Sequence, residues 1–252
     1  MQSSEPELGS YNDTSMTRRR WIADESSAGR AALTGAHADH LIRVLRAQVG
    51  QEFDIATAET VRRGRITAIR DHRVEFDLGE EVRAGRQLRI TLALAIFKFD
   101  RMEWAIEKCT ELGVLRIVPL IAQRTDAHLA AASARRVERW QRIARQASEQ
   151  SRRISPPEIL EPLKLTEAVT LEGARRIVLS ESEEQFSLKQ AVRSHPPDGD
   201  LVLAIGPEGG WTPAELKLFQ ESGWVSASLG DTILRAETAA IAAIAVIASE
   251  LY

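Results

Sequence analysis

Two glycine-bearing turns, with charged residues beside them, are the part of this sequence best suited to binding a small molecule. The first turn, Gly206–Gly210 with the sequence GPEGG, follows the apolar run Leu201–Ile205. Glycine lets the backbone approach a ligand closely and adopt positive φ angles. The turn matches neither the dinucleotide pattern GxGxxG nor the phosphate-loop pattern GxxxxGK(S/T). Glu208 would repel a phosphate, which favours a nucleoside-like or cationic ligand; a tight turn that binds nothing is the alternative.

The second turn comes shortly before the last apolar segment of the chain. Leu229–Asp231 leads through Ile233 and Leu234 to a predicted helix, Ala236–Leu251, that is almost wholly apolar. Such a helix is buried, so the charges of Arg235 and Glu237 at its start are expected at the rim of a pocket. Glu237 could instead be explained by the helix dipole alone. That alternative does not explain Arg235, because a cation is disfavoured at a helix start.

Arginine-rich segments raise a second hypothesis, contact with an RNA backbone. They lie in the N-terminal region, at the end of the predicted strand Leu88–Phe97, and along the predicted helix Ser133–Ser151. The alternative is that these side chains only solvate a helix face or a chain terminus. The candidate RNA-binding residues are Arg18, Arg19, Arg20, His40, Arg43, Arg46, Lys98, Arg101, Arg139, Arg142 and Arg152.

Composition narrows the classes of function. The formal net charge is −3 over 252 residues, so any nucleic-acid contact must use a local basic patch. The single cysteine, Cys109, permits no intramolecular disulfide and no cysteine zinc cluster, and we expect it in the core. The five histidines are scattered without an HExxH spacing, so we expect no metal site. The apolar run Ala239–Ala248 is shorter than the ~20 residues of a membrane span. With no signal-like start, we expect no membrane association and a cytoplasmic location.

The elements that must position these residues divide the chain into three parts. Residues 1–16 are acidic and poor in apolar residues, which predicts a disordered extension. Residues 17–86 contain short strand-like runs between glycines, typical of a small barrel or sandwich, and one predicted helix, Ala36–Arg46. In residues 87–252 strands alternate with helices, which predicts a parallel sheet covered by helices on both faces.

Local signals give approximate bounds for these elements. In Asp100–Leu112 we predict Asp100 as N-cap with Glu103 completing a capping box, and in Thr212–Ser222 we predict Thr212 as N-cap. The predicted strands are Glu52–Ala56, Arg65–Ile69, Arg73–Leu78, Leu88–Phe97, Arg116–Ala122, Arg176–Ser180, Leu201–Ile205 and Val225–Leu229; the remaining helices are Thr166–Leu171 and Ser187–Arg193.

Four segments together resemble one known family. They are KFDRMEWAIEKCTELGV (Lys98–Val114), RRVERWQRIARQASEQSRR (Arg135–Arg153), LAIGPEGGWTPAEL (Leu203–Leu216) and LGDTILRAETAAIAA (Leu229–Ala243). They resemble the RsmE family of 16S ribosomal RNA uridine N3-methyltransferases, within the SPOUT superfamily of knotted methyltransferases. RRRWI (Arg18–Ile22) and HADHLIRVLRAQVG (His37–Gly50) resemble that family's PUA-like RNA-binding domain.

The resemblance implies an α/β fold: a C-terminal SPOUT-type parallel sheet with a deep trefoil knot and a small N-terminal PUA-like β-barrel domain. It implies that S-adenosyl-L-methionine binds in the knot, that the chain is a homodimer, and that 16S rRNA or the 30S ribosomal subunit is the partner. The catalytic candidates it implies are Arg235, as a cation for charge on the uracil, and Glu237, with Glu208 as an alternative base. The implied cofactor-binding residues are Leu179, Ser180, Gly206, Pro207, Glu208, Gly209, Gly210, Leu229, Gly230, Ile233, Leu234, Thr238 and Ala239.

Other functions stay open at this point. Within methyltransferases, another RNA or a ribose 2′-hydroxyl is an alternative acceptor, because a fold does not fix a function. A non-catalytic RNA-binding assembly module with the same fold is a second alternative, although the pocket glycines and Arg235 argue against it. A nucleotide-dependent oxidoreductase is disfavoured by the missing GxGxxG pattern.

Overall fold

The chain contains two compact units, which divide after Val82. The computed structural model describes residues 20–57, 60–82, 88–194 and 199–251. The predicted extension 1–16, the candidates Arg18 and Arg19, and the predicted boundary at residues 86 and 87 lie outside these ranges.

The N-terminal unit is a six-stranded sheet with the order β1-β4-β5-β6-β3-β2. Its pairings are antiparallel except that β1 pairs with β4 in parallel. Irregular register between Arg62 and Gly64, and again between Ile66 and Ala68, interrupts the long β5–β6 hairpin; such bulges bend a sheet. The strands are β1 Arg20–Ile22, β2 Glu25–Ser27, β3 Arg30–Thr34, β4 Glu52–Ala56, β5 Val61–Arg70 and β6 Arg73–Val82.

The helix predicted over Ala36–Arg46 is shorter and less regular than expected. It consists of α1, Gly35–Asp39, followed by a π-helical turn, His40–Val44. Arg46 has a φ of 51°, so the predicted helix ends before Arg46. Leu41 is fully buried, whereas Val44 and Leu45 are exposed.

The C-terminal unit is built on a seven-stranded sheet. The order is β10-β8-β7-β12-β11-β13, with β9 paired to β8, and the pairings are parallel. This confirms the α/β class and the parallel sheet that the alternation of elements predicted. The strands are β7 Ile90–Ala95, β8 Arg116–Ile121, β9 Glu158–Ile159, β10 Leu163–Lys164, β11 Arg175–Leu179, β12 Leu201–Ile205 and β13 Val225–Ala227.

Two hydrophobic cores, one on each face, bury this sheet. In β12, Leu201, Leu203 and Ile205 belong to one core and Val202 and Ala204 to the other, because successive side chains of a strand point to opposite faces. The larger core includes residues of α2, α4, α6 and α8, and the smaller includes residues of α5 and α7. The helices are α2 Phe99–Glu111, α3 Ala127–Ala132, α4 Val137–Gln150, α5 Leu165–Ala168, α6 Leu188–Arg193, α7 Pro213–Glu221 and α8 Ala236–Leu251.

Local capping signals predicted some helix starts and failed at others. Thr212 caps α7, with its side chain accepting from the Glu215 N–H, and the bounds of α8 are as predicted. The prediction for Asp100 was wrong, because α2 begins at Phe99 with Lys98 at the N-cap. Phe99 packs edge-on against Trp140, with ring centroids 6.0 Å apart, and the N-cap lies two residues earlier than predicted.

The single long helix predicted over Ser133–Ser151 was also wrong in its bounds. Asp126 caps the earlier helix α3 by accepting from the His128 N–H at 2.8 Å. A 3₁₀ turn, Ala134–Arg136, then joins α3 to α4. Among the described residues, no helix is both long enough and apolar enough to cross a membrane.

Cys109 is predicted to be unreactive in the folded protein. Its thiol is buried in α2, and burial raises its pKa to about 12. The thiolate is the form that reacts. Native protein at pH 8 should therefore release almost no nitrothiobenzoate from dithiobis(nitrobenzoate). In guanidinium the same reagent should titrate one thiol per chain, because Cys109 is the only cysteine. Rapid stoichiometric labelling of the native protein would contradict the buried position.

Candidate functional site

Three neighbouring strands of the C-terminal unit end at one cavity. Because β12, β11 and β13 are adjacent and parallel, their carboxyl ends lie at the same edge of the sheet, where α/β proteins commonly bind ligands. The connections after these strands line a cavity of about 620 Å³. The two glycine-bearing turns identified in the sequence are therefore brought together, and the end of β11 supplies the third wall.

The glycine-rich turn packs over a buried tryptophan. The indole Nε1 of Trp211 donates a hydrogen bond to the Leu179 carbonyl at 2.9 Å, which links the connection after β12 to the end of β11. A Cβ on Gly206 would lie 3.1 Å from this indole ring, so the close approach needs glycine. Gly210 has a φ of 69°, and a Cβ there would lie 2.8 Å from Glu181 Oε1.

A buried carboxylate anchors the other end of the turn. Glu215 accepts hydrogen bonds from the Thr212 N–H at 2.8 Å and from the Gln123 N–H at 2.7 Å. The first bond completes the capping box of α7 and the second ties that helix to the connection after β8. Arg124, from the same connection, donates to the Gly209 carbonyl at 2.5 Å. The turn is thus supported by main-chain and side-chain contacts from outside the cavity.

The connection after β13 forms the opposite wall. Leu229, Gly230, Ile233 and Leu234, which the family resemblance implied as cofactor-binding residues, line the cavity together with Arg235. The side chain of Ile233 is 79% exposed, although it is large and apolar. An exposed apolar side chain and a guanidinium at the same rim are suited to contact a flat, partly polar group such as a base.

Arg101 lies between two carboxylates of this site. Its Nη1 is 2.9 Å from Glu208 Oε1, and its Nε is 3.7 Å from Glu237 Oε1. Arg101 and Glu208 line the cavity, whereas Glu237 is absent from the lining and only 4% exposed. Arg101, a candidate for RNA contact, thus pairs with the site's own carboxylates, and Glu237, a catalytic candidate, is buried outside the cavity lining.

The cavity lining is rich in carboxylates. Glu208 was a predicted site residue, and Asp231 lies in the second glycine-bearing turn; the connection after β11 carries no glycine pattern that could have revealed Glu183 and Glu184. Trp211 was also missed, since an aromatic residue after a turn is as typical of a core. Among the described residues, no group of three or more His, Cys, Asp or Glu side chains could hold a metal. The lining carboxylates are Glu181, Glu183, Glu184, Glu208 and Asp231; the lining residues that were missed include Glu183, Glu184 and Trp211.

Most of the predicted cofactor residues line this cavity, with two exceptions. Leu179, Ser180, Pro207 and Ala239 join the residues already named on the walls. Gly209 faces the Arg124 side chain, and Thr238 is exposed on α8 outside the lining.

The N-terminal RNA-binding candidates differ in accessibility. Arg20 is only 7% exposed within β1, and this burial counts against direct phosphate contact. His40 is exposed and packs edge-on against Trp21, with ring centroids 5.6 Å apart. Arg43 is exposed and lies 3.7 Å from Asp39, and Arg46 is exposed.

The C-terminal RNA-binding candidates lie on α2, on α4 and just after it. Arg139 forms a two-pronged pair with Glu103, with N–O distances of 2.6 and 2.7 Å; Glu103 therefore binds α4 instead of capping α2. Lys98, Arg142 and Arg152 are exposed.

Comparison with known proteins identifies the family. A family model described as an RNA methyltransferase domain matches residues 85–248. The ribosomal RNA small subunit methyltransferase E of Synechocystis is 35% identical over 217 residues, which are 84% of this chain and 71% of that protein. The chain belongs to the ribosomal RNA small subunit methyltransferase E family.

Two further methyltransferase E proteins resemble the chain over most of its length. That of Bacillus subtilis is 28% identical over 86% of this chain and 88% of its own. The crystal structure of the Neisseria gonorrhoeae protein bound to S-adenosyl methionine superposes with a TM-score of 0.81 at 30% identity, covering 92% of this chain and 98% of that one. The family membership that the four sequence segments implied is confirmed.

Gly210 is predicted to be the more sensitive of two adjacent glycines in this family member. In Gly210→Ala the residue must hold a φ of 69°, which costs an L-residue about 1–2 kcal/mol, and its Cβ meets Glu181. Gly209→Ala is the matched control, since Gly209 has no positive φ and its neighbour is the flexible Arg124 side chain. Thermal unfolding should rank Gly210→Ala below Gly209→Ala; the reverse order would contradict the turn geometry.

Proposed function

We propose that this chain methylates N3 of a uridine in 16S rRNA of the small ribosomal subunit, with S-adenosyl-L-methionine as the methyl donor. The observation that carries the proposal is the cavity formed by the ends of β11, β12 and β13, in a family member whose solved relative has this cofactor bound. The substrate class follows from the relatives, which are ribosomal RNA small subunit methyltransferases.

The charge of the cavity fits the proposed cofactor. S-Adenosylmethionine carries a positive sulfonium and a positive ammonium group, and five lining carboxylates outnumber two lining arginines. The same lining would repel a nucleotide polyphosphate. We assign Gly206–Gly210, Leu229–Leu234 and Leu179–Glu181 as the segments that hold the cofactor, with glycine giving close backbone approach at Gly206. When bound, the cofactor supplies an electrophilic methyl group.

The residues facing the cavity can prepare a uracil for this chemistry. Uracil N3 is an imide nitrogen that must lose a proton, and the resulting charge spreads onto the two carbonyl oxygens. Arg235 lines the cavity and is exposed, so its guanidinium is available to stabilise that charge. Glu208 lines the cavity as well, and we assign it as the proton acceptor in preference to the buried Glu237. Positioning of the base supplies a further part of the rate.

Several finer features belong to the same proposal. We propose a deep trefoil knot in the C-terminal unit, supported by the convergence of three strand-end connections on one cavity, and a PUA-like barrel in the N-terminal unit, supported by its bulged six-stranded sheet. We also propose a homodimer, and a cytoplasmic location, where ribosomal subunits are assembled. The exposed basic residues Lys98, Arg142 and Arg152, with His40, Arg43 and Arg46, are proposed to contact the rRNA backbone.

The acceptor is tested by the modified nucleosides of small-subunit rRNA. Mass spectrometry of 16S rRNA from cells lacking this protein should show the loss of N3-methyluridine, and purified protein with S-adenosylmethionine should restore it. Loss of a 2′-O-methyl nucleoside instead would move the acceptor to a ribose. Unchanged nucleosides, together with no cofactor binding by calorimetry, would favour a non-catalytic RNA-binding module.

Arg235 is predicted to act mainly in the chemical step. Arg235→Ala should lower methyl transfer about 10²- to 10³-fold, as for the loss of a charge-stabilising donor, while the cofactor Kd changes little. Arg193→Ala is the control, because Arg193 is an exposed arginine that pairs with Glu250 near the other end of α8. Methyl transfer by Arg235→Ala at the rate of Arg193→Ala, with cofactor binding intact, would refute the role of Arg235.

A further inference from the structure

We propose that Arg101 is a positioning residue that joins the glycine-rich turn to the first turn of α8 by bridging Glu208 and Glu237. The two carboxylates come from two different elements of the site: Glu208 from the connection after β12 and Glu237 from the first turn of α8. Arg101 comes from a third element, the start of α2. For its consequence in catalysis the inference rests on the proposed function, but the bridge itself is a property of the free protein.

The geometry suits a guanidinium. Nη1 of Arg101 meets Glu208 Oε1 at 2.9 Å while Nε of the same group faces Glu237 Oε1 at 3.7 Å. Arginine offers several N–H groups in a fixed planar arrangement, whereas lysine offers one compact ammonium on a flexible stem. A lysine at this position would keep the positive charge, but it would lose the spacing between Nη1 and Nε that meets the two carboxylates.

Burial makes the contact with Glu237 more than a surface ion pair. Glu237 is buried, and among the described residues its Oε2 has no hydrogen-bond partner. Within the same described ranges, Arg101 is the cation that lies within 4 Å of this carboxylate. A buried charge that loses its partner is strongly destabilising, so removal of Arg101 should force the start of α8 to open toward solvent. Glu208 is half-exposed, so removal of Arg101 should change the orientation of its side chain without unfolding the turn.

The bridge also fixes the two groups that face the proposed substrate. Glu208 lines one wall of the cavity, and Arg235, two residues before Glu237, lines the other. The guanidinium of Arg101 contacts Glu208 on one wall and Glu237, two residues after Arg235, beside the other. It therefore keeps the two walls in a fixed relative position. Arg101 thereby acts on the cavity through Glu208 and Glu237.

Hydrogen–deuterium exchange of the free, full-length protein tests the bridge without any cofactor. In Arg101→Gln, peptides covering the glycine-rich turn and the first turn of α8 should both exchange at least about tenfold faster, as expected when a buried pair is broken. Arg101→Lys should also speed exchange in at least one of them. Arg116→Gln is the matched control, because it removes an Arg–Glu pair, 2.7 Å from Glu158, at the start of β8 on the opposite edge of the sheet; it should change neither peptide.

A second substitution separates the bridge from general damage to the fold. Adding Glu237→Gln to Arg101→Gln removes the buried charge, so slow exchange should return at α8 while the glycine-rich turn stays fast. Unchanged exchange in Arg101→Gln would overturn the proposal, and so would equal acceleration of exchange across both units. If Arg101→Gln does not fold, exchange in Arg101→Lys is measured instead, and unchanged exchange at both peptides would likewise overturn the proposal.

Cofactor calorimetry on the wild type keeps the two proposals distinct. Absence of binding there would sink the proposed function and leave the exchange result on the bridge standing. With binding present, Arg101→Gln should weaken the cofactor Kd or lower kcat, and Arg116→Gln should do neither.

Discussion

The adjacency of three parallel strands governs the C-terminal unit. Because β11 pairs in parallel with both β12 and β13, the connections that follow the three strands must leave the sheet at one edge. Side chains of the three connections therefore meet at this edge, although the connections are separated along the chain. The acidic lining, the paired turns and the Arg101 contacts are all consequences of this arrangement, since none of the three segments could form a cavity alone.

The parts of the fold that depend on local signals were predictable from the sequence. Thr212 and Glu215 interact within one turn, and the bounds of α8 follow from an uninterrupted apolar run. The start of α2 was mispredicted because its neighbours act from a distance. Glu103 binds Arg139, 36 residues away, and Phe99 packs against Trp140. Such contacts are set by the packing of α2 on α4, which no pattern within a helix records.

The candidate site, like the fold, was predictable where the signal is local in sequence. Glycines marked the turn after β12 and the turn after β13, but the connection after β11 carries glutamates that resemble any solvated loop. The sequence also predicted both Arg235 and Glu237 at the rim of a pocket, whereas the structure places Arg235 in the cavity lining and buries Glu237. Arg101 lies 107 residues before Glu208, so its partners could be found only once the sheet had brought α2 beside the turn.

The tryptophan beneath the glycine-rich turn limits how this site can evolve. The indole of Trp211 fills the space in which any side chain at Gly206 would stand, and its N–H is committed to the Leu179 carbonyl. A side chain at position 206 therefore needs the indole to shift by a few tenths of an ångström, and such a shift alters its hydrogen bond to Leu179. Substitutions at positions 206 and 211 should consequently be coupled, because each changes the space or the contact on which the other depends. Variation is less constrained at the rim, where the side chain of Ile233 is exposed.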